Sequence, residues 1–200
     1  FTITGVIMET CGGAVSVSNL ASAVAQSATL ADGAALSNLV SFTVAPHTMG
    51  LAIVKTASPA GGAALATGAA LAYVIAVTNT GSSTLYSLTV TDTVPSWFEV
   101  ATTGQEFPFF VPTVTDIPGT GTRYEWNATE AFIGPGMTFS FTLQGTVVES
   151  CVPGSFANRA TADGYESGCG RTAAAQSNAV SHAHTGFAPG ITVSKEMGPA

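Results

Sequence analysis

Leu71, Tyr73, Ile75 and Val77 are large and apolar, and smaller residues separate them. Apolar positions recurring at every second residue mark a half-buried β-strand over Leu71–Thr78. Similar short segments follow along the chain. Leu51–Thr56 is closed by Ser58-Pro59 and the Gly61-Gly62 turn. Leu85–Thr91 alternates imperfectly through Leu85, Leu88 and Val90, and Pro95 ends it. Phe107–Val114 carries Pro108 and Pro112, which predicts an edge strand or an ordered loop. Tyr124–Trp126 is a short strand, and Met137–Val148 is the longest candidate, with Phe139, Phe141 and Leu143 on one face. Phe156–Ala162 and Ala174–Ser181 close the series. Short strands punctuated by Gly, Pro and Asn predict an all-β protein, an antiparallel immunoglobulin-like β-sandwich. Gly68 and Gly81 are expected to supply positive φ at turns, and Asn79 to cap its own turn through its side chain.

The pattern also repeats. Phe1-Thr2 recurs as Phe141-Thr142, Gly5 as Gly145, Cys11 as Cys151, Ser37-Asn38 as Ser177-Asn178, Gly50 as Gly190 and Lys55 as Lys195. One offset of 140 residues accounts for all of these pairs. Self-similarity at a fixed period is the mark of a tandem array. Residues 1–48 therefore read as the C-terminal part of one repeat, and 49–188 as one complete sandwich. Residues 189–200 read as the first strand of the next repeat. A lone terminal third leaves strand edges open. The expectation is either a chain that continues at both ends or neighbouring subunits that complete the partial domain by strand donation.

Composition narrows the function. Hydrophobic residues make up 46% of the 200 residues and charged residues 8%, with a net charge of -7. Such a surface repels phosphate backbones, which argues against nucleic-acid partners. High hydrophobicity with little charge also argues against disorder. Gly61–Val77 is the longest apolar stretch, but glycines interrupt it and no basic flank follows, so no membrane span is expected. Phe1 opens without an initiator Met or a basic leader, as in a mature protein or a window of a longer one.

Leu51-Ala-Ile-Val-Lys-Thr-Ala-Ser-Pro59, Gly68, Tyr73-Val-Ile-Ala-Val-Thr-Asn79-Thr-Gly81 and Val90-Thr-Asp92-Thr-Val-Pro95 occur in that order. This stretch resembles the cell-surface tandem-repeat family catalogued as domain of unknown function eleven. The resemblance is strong over 50–96, with Val94 where the family usually has Leu. Over 97–185 only the closing Asn158-Arg-Ala160 and Ser177-Asn-Ala179 fit it. It implies immunoglobulin-like repeats in large bacterial and archaeal surface proteins, with no enzymatic activity and no shared ligand.

Few residues suggest chemistry. In an oxidising setting Cys151 and Cys169 are expected to form a disulfide. Cys11 has Thr29 where a mate would stand, so it is a candidate intermolecular cross-link. Lys55 and Lys195 are the only lysines and share one place in the repeat. A buried Lys55 could form an isopeptide bond with Asn178, assisted by a protonated Asp92. Alternatively Lys55 reaches solvent and guards an edge strand. His182 and His184 share a strand face but lack an evident third ligand, so no metal site is assigned. No nucleophile elbow, phosphate loop or calcium loop is present, and no cofactor or catalytic residue is read. Asn127-Ala-Thr129 is a candidate glycosylation sequon. The sequence thus predicts a non-enzymatic structural repeat of an extracellular filament, sheath or surface layer, partnered by copies of itself or neighbouring repeats. The alternative is an adhesin stalk or carbohydrate-binding surface. Glycans would then stack on Trp97, Phe107, Phe109, Phe110 or Trp126.

Overall fold

The computed structural model describes all residues except 1, 8–9, 27, 29–32, 106–110, 150–152, 187–189 and 198–200. The chain divides into two compact units, Phe1–Thr48 and Met49–Ala200. The described residues of both are strands and turns. Among the described residues no helix is long and apolar enough to cross a membrane.

The first unit holds β1 (Val15–Asn19), β2 (Ser22–Ala25), β3 (Gly33–Leu36) and β4 (Val40–Val44). β1 pairs antiparallel with β4, and β2 with β3. Their side chains are almost all exposed.

The second unit begins with β5 (Leu51–Ser58), β6 (Ala64–Leu65), β7 (Ala70–Asn79), β8 (Leu85–Pro95) and β9 (Phe98–Gln105). It continues with β10 (Thr113–Ile117), β11 (Gly121–Ile133), β12 (Thr138–Val147) and β13 (Gly154–Asn158). β14 (Ala160–Glu166), β15 (Arg171–Gln176) and β16 (Val180–His184) complete it. A five-stranded sheet runs β10-β11-β8-β14-β15 and a four-stranded sheet runs β5-β7-β12-β9. Their inward faces share one core, in which Tyr73, Ile75, Phe141 and Leu143 of one sheet pack with Val90, Val94, Trp126 and Ala162 of the other. This is the two-layer antiparallel sandwich that the alternation predicted. A third sheet, β13-β16-β6, adds a short parallel pairing of β16 with β6. Each large apolar side chain moved into this core contributes about 1.5–3 kcal/mol.

Several boundaries differ from the sequence reading for identifiable reasons. Phe156–Ala162 is not one strand. It breaks at Arg159, where the chain leaves the three-stranded sheet as β13 and enters the five-stranded sheet as β14. Ala174–Ser181 likewise divides into β15 and β16. The two corners hold each other: Ser177 N donates to Ala160 O at 2.9 Å, and Ala160 N donates to Ser177 Oγ at 3.0 Å. β9 was not anticipated, because after Phe98 its residues are mostly polar or small and only partly buried. The imperfect alternation of β8 coincides with a register shift on β11 between Thr129 and Ile133, where Glu130 takes φ 65°. Gly190–Met197, expected to begin a strand, is not in one, and Ile191 and Val193 are exposed. Gly68 has the expected positive φ of 81°, but Gly81 does not. Instead, Gly81 N donates to Asn79 Oδ1 at 3.0 Å, while Asn79 Nδ2 donates to the carbonyls of Ser83 and Ile133.

The second unit ends with the same pairings that make up the first. Asn19 pairs with Val40 as Asn158 pairs with Val180, and Ser22 with Leu36 as Thr161 with Gln176. The corner bonds recur too: Ser37 N donates to Ala21 O at 2.9 Å, and Ala21 N to Ser37 Oγ at 2.9 Å. β3 and β4 correspond to β15 and β16 at the expected offset of 140, but β1 and β2 correspond to β13 and β14 at 139. A single offset therefore does not hold throughout, and the first copy carries one extra residue before Asn19.

Candidate functional site

On β5, strand alternation turns Ile53 and Lys55 inward; on β8 it turns Val90, Asp92 and Val94 inward. β5 and β8 belong to opposite sheets. Lys55 Nζ therefore crosses the interior and donates to Asp92 Oδ2. Both side chains are fully buried, at 0% exposure. The ammonium also sits over the Tyr73 ring, 4.3 Å from its centre. β5 is an edge strand, but its lysine does not reach solvent as a guard against mispairing.

Burial acts on both partners. It lowers the Lys55 pKa below the ordinary lysine value, against the opposing pull of Asp92. It raises the Asp92 carboxyl above the usual carboxylate range, although Lys55 and Asn158 favour its charged form. Both directions favour the neutral amine and the neutral acid, because a low-dielectric interior penalises charge. Tyr73 is pushed beyond the ordinary tyrosine range by burial and then by the nearby Asp92.

The two asparagines behave differently. Asn178 does not face the Lys55 ammonium. Its Oδ1 accepts from Lys55 N at 3.0 Å, and its Nδ2 donates to Lys55 O at 2.8 Å. Its carboxamide thus serves as a strand partner for the β5 backbone, on the outside of the sandwich. Asn158, at the end of β13, is 1% exposed and lies beside the Asp92 carboxyl. Neither of its side-chain polar atoms makes a hydrogen bond of normal geometry, and Asp92 Oδ1 is also unpaired. A buried polar group without a partner costs about 1–3 kcal/mol. Lys55, Asp92 and Asn158 therefore form one buried polar cluster with unsatisfied atoms. The Asn-Arg-Ala run at 158–160 was legible in the sequence, but not its position beside the Lys–Asp pair.

The other candidates occupy structural places. His182 and His184 both point inward from β16. His182 Nε2 is 3.1 Å from Pro59 O, and its Nδ1 is 3.4 Å from the Tyr73 hydroxyl. His184 lies against Trp97, with ring centres 5.6 Å apart. Among the described residues no group of three potential ligands could hold a metal. Trp126 is 1% exposed and packs on Phe141, so it is core and offers no sugar platform. Trp97 is half-buried against Phe156 and His184. Phe107, Phe109 and Phe110 lie outside the described residues. Asn127 is exposed on β11. Cys11 and Cys169 are each disulfide-bonded. Cys151, the mate expected for Cys169, lies outside the described residues.

No family model matches the chain, and no curated protein matches it. Solved structures do resemble it. The full-length major pilin SpaD from Corynebacterium diphtheriae aligns with a TM-score of 0.50 and 15% identity, over 66% of this chain and 34% of that one. Domains D2 and D3 of the same pilin align at 0.48 and 17%, over 65% and 51%. The C-terminal domain of the Streptococcus agalactiae antigen I/II polypeptide BspA aligns at 0.46 and 12%, over 68% and 50%. The chain thus spans about a third of the full-length pilin that it matches. The first of these likenesses supports the immunoglobulin-like sandwich fold.

Proposed function

We propose that this chain is a non-enzymatic structural repeat of an extracellular filament, sheath or surface layer, of the kind found in the surface-repeat family it resembles in sequence. The observation that carries this reading is the recurrence of one strand set. The pairings and corner bonds that end the sandwich of the second unit appear again in β1–β4. An array of this kind gains stiffness by stacking identical modules through short linkers. The linkers around 46–50 and 186–190 carry Pro46, Gly50, Pro189 and Gly190 and leave little length for bending. A surface poor in charge and rich in hydroxyls lets such rods lie side by side without strong repulsion. The pilin fold likeness is compatible with this role, in which the partners are copies of the protein or neighbouring repeats.

Denaturing electrophoresis of the native material, with and without reductant, tests the reading. Species far above 20.0 kDa that survive reduction are expected. One band at 20.0 kDa in both lanes would overturn the continuous covalent array and leave strand donation between separate subunits in its place.

A further inference from the structure

Lys55, Asp92 and Asn158 form a cluster that a structural salt bridge alone does not explain. A stable buried ion pair needs its remaining lone pairs satisfied. Here Asp92 Oδ1 and both polar atoms of Asn158 lack partners, although all three residues are buried. The amine and the carboxamide meet at one carboxyl group, under a roof formed by the Tyr73 ring. We propose that Lys55 and Asn158 become joined by an intramolecular isopeptide bond, with Asp92 as the acid–base residue. The bond would tie β5, in the four-stranded sheet, to the corner between β13 and β14.

The reaction balances without any co-reactant. Asp92 Oδ2 takes a proton from Lys55 Nζ, which leaves a neutral amine and a neutral acid. The Nζ lone pair attacks Asn158 Cγ, and the carbonyl electrons move onto Oδ1, where the Asp92 acid hydrogen bonds to it. The carbonyl then re-forms and the Cγ–Nδ2 bond breaks. Asp92 relays a second proton from Nζ to the departing nitrogen, which leaves as ammonia. A secondary amide remains and Asp92 is again neutral. Exclusion of water keeps the amine nucleophilic, as burial does for reactive lysines generally.

The repeat offers a second line of support. Asn19 occupies on β1 the register position that Asn158 occupies on β13, and in the sequence Lys195 follows Lys55 at the offset of 140. The asparagine recurs with the strand pairing and the lysine with the sequence repeat, in a chain that has only two lysines.

The test is the intact mass of the full chain, reduced and denatured, followed by fragment sequencing of a protease digest. The expected mass is lower than that of the sequence by one ammonia, about 17 Da, with a branched peptide joining Lys55 to Asn158. Asp92→Asn, shown to be folded by its β-sheet circular dichroism, is expected to keep the full mass, as is Asn158→Ala. Asn178→Ala is expected to remain lighter. An unmodified mass for the natural chain would overturn the proposal, as would a branch through Asn178 or a mass deficit that survives in Asn158→Ala.

Discussion

β13–β16 and β1–β4 are the same four strands in two surroundings. Their registers and corner hydrogen bonds agree. Their burial does not. Val180, His182 and His184 face the interior of the second unit, whereas Val40 and Phe42 are 56% and 44% exposed in the first. Asn158 is buried beside Asp92, whereas Asn19, its counterpart, is exposed. Strand pairing and corner geometry are therefore encoded locally and form in either setting. Burial requires the facing sheet, which residues 49–147 supply to the second copy. A two-stranded ribbon without a covered face is at best marginal in water.

The most direct way to break this comparison is hydrogen exchange on the whole chain. Amides of β7, β8 and β12 should exchange on the order of a thousandfold or more slowly than those of β1–β4, since core strands open only with global unfolding. Equal protection of the two sets would show that the first unit has a core of its own. A smaller effect comes from side-chain truncation. Trp126→Ala should lower stability by about 3–5 kcal/mol in denaturant unfolding. Phe42→Ala should stay within about 0.5 kcal/mol, because its ring is already half in water. A large loss at Phe42 would place it in a packed interface. The smallest effect separates two glycines that share a place in the repeat. A Cβ on Gly145 would run into the Glu99 carbonyl of the neighbouring strand, whereas one on Gly5 meets nothing within 4 Å. Gly145→Ala should cost about 1–3 kcal/mol by thermal unfolding, as overpacking does. Gly5→Ala should leave the midpoint unchanged, and a matching shift in both would contradict the comparison.

Much of the fold was legible because it rests on alternation. β5, β7 and β12 lie where the period-two pattern put them, and their inward residues form the core. β9 was missed because its partner strand, rather than its own apolar side chains, holds it in place. The breaks at Arg159 and between β15 and β16 were missed because the pattern records which residues are apolar, and not which sheet they join. The candidate site was half legible. A lysine on an apolar strand and an aspartate on another pointed toward burial, and the structure brings them together. The sequence pointed to Asn178 as the partner and not to Asn158, yet the Asn178 amide is engaged by the Lys55 backbone.

By itself the sequence determined the repeat, the strand-rich architecture, the inward faces and the scarcity of charge. These follow from periodicity and composition, which act between neighbours along the chain. Only the tertiary structure decided which asparagine lies beside the Lys55–Asp92 pair. The Lys55–Asp92–Asn158 cluster spans opposite sheets and a corner at which the chain changes sheet. Its geometry exists only after the sandwich has closed and driven out the water that would otherwise solvate an amine and an acid.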